Sequence, residues 1–316
     1  MTTFAFRNDV RRRTALFGGL ALLALSVFVL GAVIGAWAGV VRIWPVRYSL
    51  FLLEGSPKPF VNQPESLPIA IDSAGRLMRY AGKTEAPCPK QTPRTAVLLI
   101  AGQSNAANSA AQRHETRHPD RVLNCISGRC YVAASPLLGS TGFAGEPWTL
   151  MADELIEQGA FDRVILTPLA VGGSNIAQWA KGGVLNTSMI PLVQDLVTHY
   201  HVTHVLWHQG ESDFALRTDP AQYKERFLSF ADTLRANAVD APVFVSTATR
   251  CLPGWSALNP IRAAQHELTS TEPEFRAGVD TDMLLSAQDR YDDCHMADSG
   301  EVKSARAWAG ILTQHP

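Results

Sequence analysis

From residue 96 onward the chain alternates short, almost unbroken apolar runs with longer stretches of helical periodicity, and this alternation constrains the fold more than any single motif. The runs fall at 96–101, 164–170, 204–208 and 243–248, with a weaker one at 279–284. They are too short for buried helices and lack the in–out alternation of a one-sided strand, so they read as strands covered on both faces, the habit of a parallel sheet. Between and after them, 147–158, 188–200, 219–236, 259–270 and 299–313 suit helices. In 219–236 the apolar stripe Tyr223, Phe227, Phe230 and Leu234 follows Asp219 at the cap and Pro220 at the first helical position. The pattern predicts a three-layer α/β/α sandwich around a mostly parallel five-stranded sheet with right-handed crossovers. In such a sheet ligands bind beyond the carboxyl ends of the strands.

Upstream, eight prolines between residues 42 and 95 interrupt any long periodic element and mark a spacer. A small hairpin at 69–80, turning at Asp72-Ser73-Ala74-Gly75, fits inside it. Residues 14–41 carry no charge, more than the roughly 20 apolar residues that a membrane-spanning helix needs. Arg7, Arg11, Arg12 and Arg13 precede this stretch and only Arg42 and Arg47 follow closely. The positive-inside rule then places residues 1–13 in the cytoplasm and 96–316 on the outer face of a bacterial inner membrane. Ala36-Trp37-Ala38 also satisfies a signal-peptidase site, so a secreted product after cleavage is the alternative.

Four polar blocks accompany the strands. Gly102-Gln103-Ser104-Asn105 follows the first run and puts a hydroxyl at the sheet's carboxyl edge, near an expected helix N-terminus; a capping turn uses the same residue types. Val171-Gly172-Gly173-Ser174-Asn175, with Trp179, follows the second run. Trp207-His208-Gln209-Gly210-Glu211-Ser212-Asp213 closes the third. Asp292-Asp293-Cys294-His295 lies near the C-terminus.

The order and spacing of these blocks resemble the SGNH hydrolases, specifically the sialate O-acetylesterase-like carbohydrate esterases, over roughly residues 96–312. The resemblance implies an SGNH, flavodoxin-like sheet and a serine esterase that removes O-acetyl groups from a carbohydrate through an acetyl-enzyme, without a cofactor. It makes Ser104 the nucleophile, His295 the base and Asp292 the carboxylate that orients it, with Asp293 as rival. It makes the oxyanion hole from the N–H groups of Ser104 and Gly173 and the amide of Gln209, where the wider superfamily has an asparagine. Asn105, Glu211 and Asp213 become supporting residues. An O-acetyltransferase with the same serine chemistry, or a silent carbohydrate-binding domain on the same fold, are the competing readings.

A formal net charge of −1 gives no basic footprint for nucleic acid. Gly-x-Gly-x-x-Gly, P-loop and Gly-x-Ser-x-Gly patterns are absent from the sequence. His199, His201, His204 and His208 cannot converge from one helix or strand, and there is no Cys-x-x-Cys pair, so no metal is expected. Export favours disulfides among the five cysteines. Cys125 and Cys130 enclose a tight loop, Cys251 and Cys294 both fall at the motif-bearing sheet edge, and Cys88 is left over.

Overall fold

The computed structural model describes residues 69–252 and 254–315. The expected anchor at 14–41, the segment before it and the alternative cleavage site lie outside the described residues. Among the described residues no helix is long and apolar enough to cross a membrane.

Strands β1 (Ile69–Ile71) and β2 (Leu77–Tyr80) form the expected hairpin. Asp72 Oδ1 accepts from the Ala74 and Arg76 N–H groups, each at 2.9 Å, and Gly75 supplies a φ of +79°. The hairpin belongs to the folded body: Arg76 is buried, pairs with Asp72 at 2.7 Å and donates to the Ser188 carbonyl at 2.9 Å, while Leu77 enters the core. The spacer reading of 42–95 therefore fails from residue 69 onward.

Next come β3 (Glu85–Ala86) and β4 (Thr95–Gly102), a single 3-10 turn (Ser104–Ala106), β5 (Val122–Ile126), β6 (Arg129–Val132), α1 (Trp148–Glu157) and β7 (Arg163–Pro168). They are followed by α2 (Ile176–Trp179), α3 (Val184–His199), β8 (His204–His208), α4 (Glu211–Leu216), α5 (Pro220–Ala236) and β9 (Val243–Thr247). The chain ends with α6 (Pro260–Thr271), β10 (Phe275–Asp280), α7 (Thr281–Leu284) and α8 (Asp298–Thr313). As its sequence indicates, α5 begins with the Asp219 side chain accepting from the Ala221 and Gln222 N–H groups, with proline next in line.

The central sheet has eight strands rather than five, in the order β10-β9-β8-β4-β7-β5-β6-β3. It is parallel from β10 to β5 and antiparallel where β6 and β3 complete one edge. The extra strands escaped the apolar-run criterion because β3 is two residues long and β5 is interrupted by Asn124. That buried amide is matched by the Leu138 N–H at 2.7 Å and by the Leu138 and Leu166 carbonyls at 3.1 and 3.2 Å. The last predicted strand is also displaced: β10 ends at Asp280, and Thr281–Leu284 is a helical turn.

Along β4, Ala96, Leu98 and Ile100 point into one core with Trp148 of α1 and Trp308 of α8. Val97, Leu99 and Ala101 point into the other, with residues of α2, α3, α5 and α6. This alternation on a central strand is what sandwiches the sheet between two helical layers.

Candidate active site

Three of the four blocks leave the carboxyl ends of adjacent strands β7, β4 and β8, so the topology alone brings them together. Gly102, at φ +135°, is opposite His208 in the ladder, and a Cβ there would run into the His208 carbonyl. Only glycine lets the chain turn so close to its neighbour. Ser104 follows, 8% exposed, and begins a three-residue 3-10 turn where a helix N-terminus was expected, so little helix dipole acts on it. Gly172 lies opposite; a Cβ on it would stand 3.9 Å from Ser104 Cβ. The Gly172 N–H is taken by Thr141 Oγ1 at 2.7 Å. The N–H groups of Ser104 and Gly173 find no acceptor among the described residues.

The C-terminal block folds into a tight turn around Asp293, whose φ is +64°. Asp292 Oδ1 accepts from the N–H of Cys294 at 3.2 Å and of His295 at 2.7 Å, and Oδ2 meets His295 Nδ1 at 2.7 Å. Of the two rival aspartates, Asp292 touches the imidazole and Asp293 makes the turn. Burial alone would raise the Asp292 carboxyl, but the His295 hydrogen bonds and the Cys294 N–H together hold it below the ordinary aspartate value. Tyr291 stacks on the His295 ring with centroids 5.8 Å apart and donates to the Ser109 carbonyl at 2.9 Å. Asn105 links the two halves of the site, its amide reaching the Cys294 carbonyl at 3.3 Å and Glu211 Oε1 at 2.9 Å.

Gln209 is where the geometry departs from expectation. Its amide is turned away from an oxyanion-donating role and bound inward: Nε2 donates to Asp213 Oδ2 at 2.5 Å and to Gln103 Oε1 and the Ser174 carbonyl at 3.3 Å. The buried Asp213 carboxylate engages the amide in a charge-assisted hydrogen bond. Gln209 thus braces the loop that carries Gly173. Asp213 also accepts from the Ile176 N–H at 2.8 Å and Thr218 Oγ1 at 2.7 Å, yet burial outweighs these donors and pushes its carboxyl up. Burial would likewise raise Glu211, but His208, with Nε2 3.6 Å from Oε1, and Asn105 outweigh it and keep the carboxyl below the ordinary glutamate value.

Sequence reasoning missed several supporting groups. Gln103 Oε1 accepts from the Ser212 N–H at 3.1 Å and the Gly210 N–H at 3.4 Å, strapping the first block to the third. Buried Arg290 donates to the carbonyls of Cys294 at 2.6 Å and Thr281 at 2.9 Å and so fixes the loop bearing His295. Its one sequence-visible signal is its position five residues before that histidine. Cys251 and Cys294 are bonded as expected, with Cα atoms 4.0 Å apart, tying the same loop to the end of β9.

The four histidines do not gather. His204 is held by Thr203 and the His315 carbonyl at 2.8 and 2.7 Å, and His208 lies beside Glu211. Among the described residues the one group with donors close enough to share a metal is Cys88, Cys125 and Cys130. Cys130 lies within bonding reach of Cys125, as expected, and also of Cys88, which is therefore not isolated.

A strand-edge serine and an Asp–His pair on a C-terminal loop, carried by segments joined through Asn105, mark the SGNH class of hydrolases. The chain belongs to the carbohydrate esterase, sialic acid-specific acetylesterase family, whose model matches residues 94–314. A structure of a protein from Arabidopsis thaliana shares the fold, with a TM-score of 0.57 and 20% identity, covering 71% of this chain and 99% of that one. A carbohydrate acetylesterase from Xanthomonas citri aligns with a TM-score of 0.46 and 20% identity over 68% of this chain and 54% of that one. The carbohydrate acetylesterase Est24 from Sinorhizobium meliloti gives 0.43 and 11% over 70% and 100%. No curated protein matches the chain at a significant level. The protein is a carbohydrate esterase.

Proposed function

We propose that the protein removes O-acetyl groups from a carbohydrate through an acetyl-enzyme. Ser104 Oγ attacks the acetyl carbonyl while His295 Nε2 takes its proton, and Asp292, bonded to Nδ1, holds the ring and stabilises the imidazolium. The oxyanion is received by the N–H groups of Ser104 and Gly173. His295 returns the proton to the departing sugar hydroxyl, then activates the water that releases acetate. The observation carrying this reading is the 2.7 Å contact between Asp292 and His295 in a loop hydrogen-bonded through Asn105 to the turn bearing Ser104.

Acetate release from an aryl acetate and from an acetylated oligosaccharide by the purified full-length chain tests it, together with mass spectrometry of the peptide carrying Ser104 after an acid quench. One acetyl group on Ser104 and free acetate are expected. Transfer of the acetyl group to an added glycan without acetate release would make the enzyme a transferase, and turnover with no acetyl-serine would overturn the covalent route.

The same proposal places the domain outside the cytoplasm behind an anchor at 14–41. The arginine asymmetry around that stretch and the disulfides support this. A reporter fused after Pro316 that works in the cytoplasm would refute the orientation.

A further inference from the structure

Cys88, Cys125 and Cys130 take no part in the chemistry above, and their arrangement raises a question of valence. The chain has five cysteines, and Cys251–Cys294 uses two. A sulfur atom forms one S–S bond, so at most two of the remaining three can be joined within the molecule. Cys130 nevertheless faces both others. Cys125 is its direct cross-strand partner in the β5–β6 hairpin, with Cα atoms 4.1 Å apart, closed by Ser127 and Gly128 at φ +49° and +68°. Cys88, two residues beyond β3 on the other side of β6, has its Cα 5.2 Å away. Both separations lie within the roughly 7 Å limit for a disulfide.

We propose that these residues form a thiol–disulfide exchange centre in which Cys130 is bonded alternately to Cys88 and to Cys125. Cys88 is the entry thiol: it is exposed, whereas Cys125 and Cys130 are buried. It stands between Pro87 and Pro89, which restrict its backbone, and its sulfur lies 3.6 Å from the Gly128 carbonyl. The Cys88 thiolate attacks Cys130 Sγ, the Cys88–Cys130 bond forms, the Cys125–Cys130 bond breaks, and Cys125 leaves as a thiolate that takes up the proton Cys88 lost. No electrons are gained or lost overall.

All three cysteines border a cavity of about 220 Å³ that is also lined by Lys90, Asp195 and His199. With Cys125–Cys130 closed, the cavity presents the Cys88 thiol to a low-molecular-weight disulfide, which it would capture as a mixed disulfide while releasing one thiol. With Cys88–Cys130 closed, a covalent link joins the segment after β3 to β6, in addition to the β3–β6 residue pairs and the Arg129–Glu85 ion pair.

Trypsin separates the three cysteines, because Lys83, Lys90, Arg121 and Arg129 bracket them. The test is a non-reducing peptide map of the full-length protein, alkylated on quenching. Both linked pairs are expected in one preparation, each accompanied by alkylation of the third cysteine. Cys88→Ser should leave only the Cys125–Cys130 pair and Cys125→Ser only Cys88–Cys130, both with wild-type hydrolysis of an aryl acetate. Oxidised glutathione should modify Cys88 in the wild type and suppress the Cys88–Cys130 pair. A single linkage in the wild-type map, unchanged by oxidised glutathione, would overturn the proposal. So would three alkylatable thiols with one equivalent of zinc released by chelator, which would make the cluster a metal site. The wild-type map decides between these outcomes even if a serine variant fails to fold.

Discussion

The difference between Asp292 and Asp293 is one of backbone geometry. Asp293 adopts φ +64°, which brings Asp292 round to meet both the His295 ring and its N–H. Asparagine tolerates the left-handed region well, so Asp293→Asn should change kcat by less than about tenfold. Asp292→Asn should cost about 10⁴-fold, because the imidazole loses both its orientation and its counter-charge. Steady-state kinetics on an aryl acetate measures both, and the reverse ranking would move the role to Asp293. Ser104→Ala should lower kcat by roughly 10⁴-fold or more. Its thermal midpoint should stay near wild type, since a serine on a one-turn element contributes little packing. Gln209 shows how a single side chain can mislead a reading of sequence. A glutamine at a strand end looks available to a substrate until the fold puts the Asp213 carboxylate 2.5 Å from its amide. Gln209→Ala should therefore destabilise the fold by about 1–3 kcal/mol by leaving buried acceptors unpaired. A lost rate at unchanged stability would return Gln209 to the oxyanion hole.

At the scale of elements, what was legible were strands and helices whose residues are uniform in kind. Runs such as 96–101 and the stripe on α5 declare themselves because burial on both faces, or on one, leaves a simple period. The outer strands were not legible: β5 carries Asn124, whose burial is made tolerable by Leu138 and Leu166, contacts no local pattern contains. The site followed the same division. Ser104, Gly173 and His295 lie on blocks of recognisable local spacing, whereas Arg290 acts through carbonyls brought to it by the folding of β9, α7 and the C-terminal loop. It reaches Cys294, Thr281 and, at 3.4 Å, Arg250. Lysine keeps the charge but lacks the planar fork that spans such acceptors. Arg290→Lys should accordingly lower kcat more than it raises KM, as the loop bearing His295 loosens. An unchanged kcat would show that the loop is held without it.

Across the whole molecule, α8 is tied to the long segment after Ser104 by a buried charge pair. Glu301 accepts from the Gln112 N–H and from His114 Nε2, both at 2.8 Å, and this partner raises the His114 pKa above its ordinary value despite burial. A group whose folded pKa is raised contributes fully below its unfolded value, about 6.5, and that contribution is lost as pH rises through the folded value. The gap in thermal midpoint between wild type and His114→Gln should thus be widest near pH 6 and shrink by about pH 9. A gap that widens with pH would reverse the assignment. The Cys251–Cys294 bond acts on an equally large scale, since it joins positions 43 residues apart and one of them precedes the proposed base directly. Without it the loop bearing His295 would be held only by hydrogen bonds such as those of Arg290, Asn105 and Tyr291, whereas Ser104 would still sit at the end of a buried strand. Reduction of this bond should therefore lower esterase activity before it unfolds the sheet, so that oxidation state and catalysis are coupled through one loop.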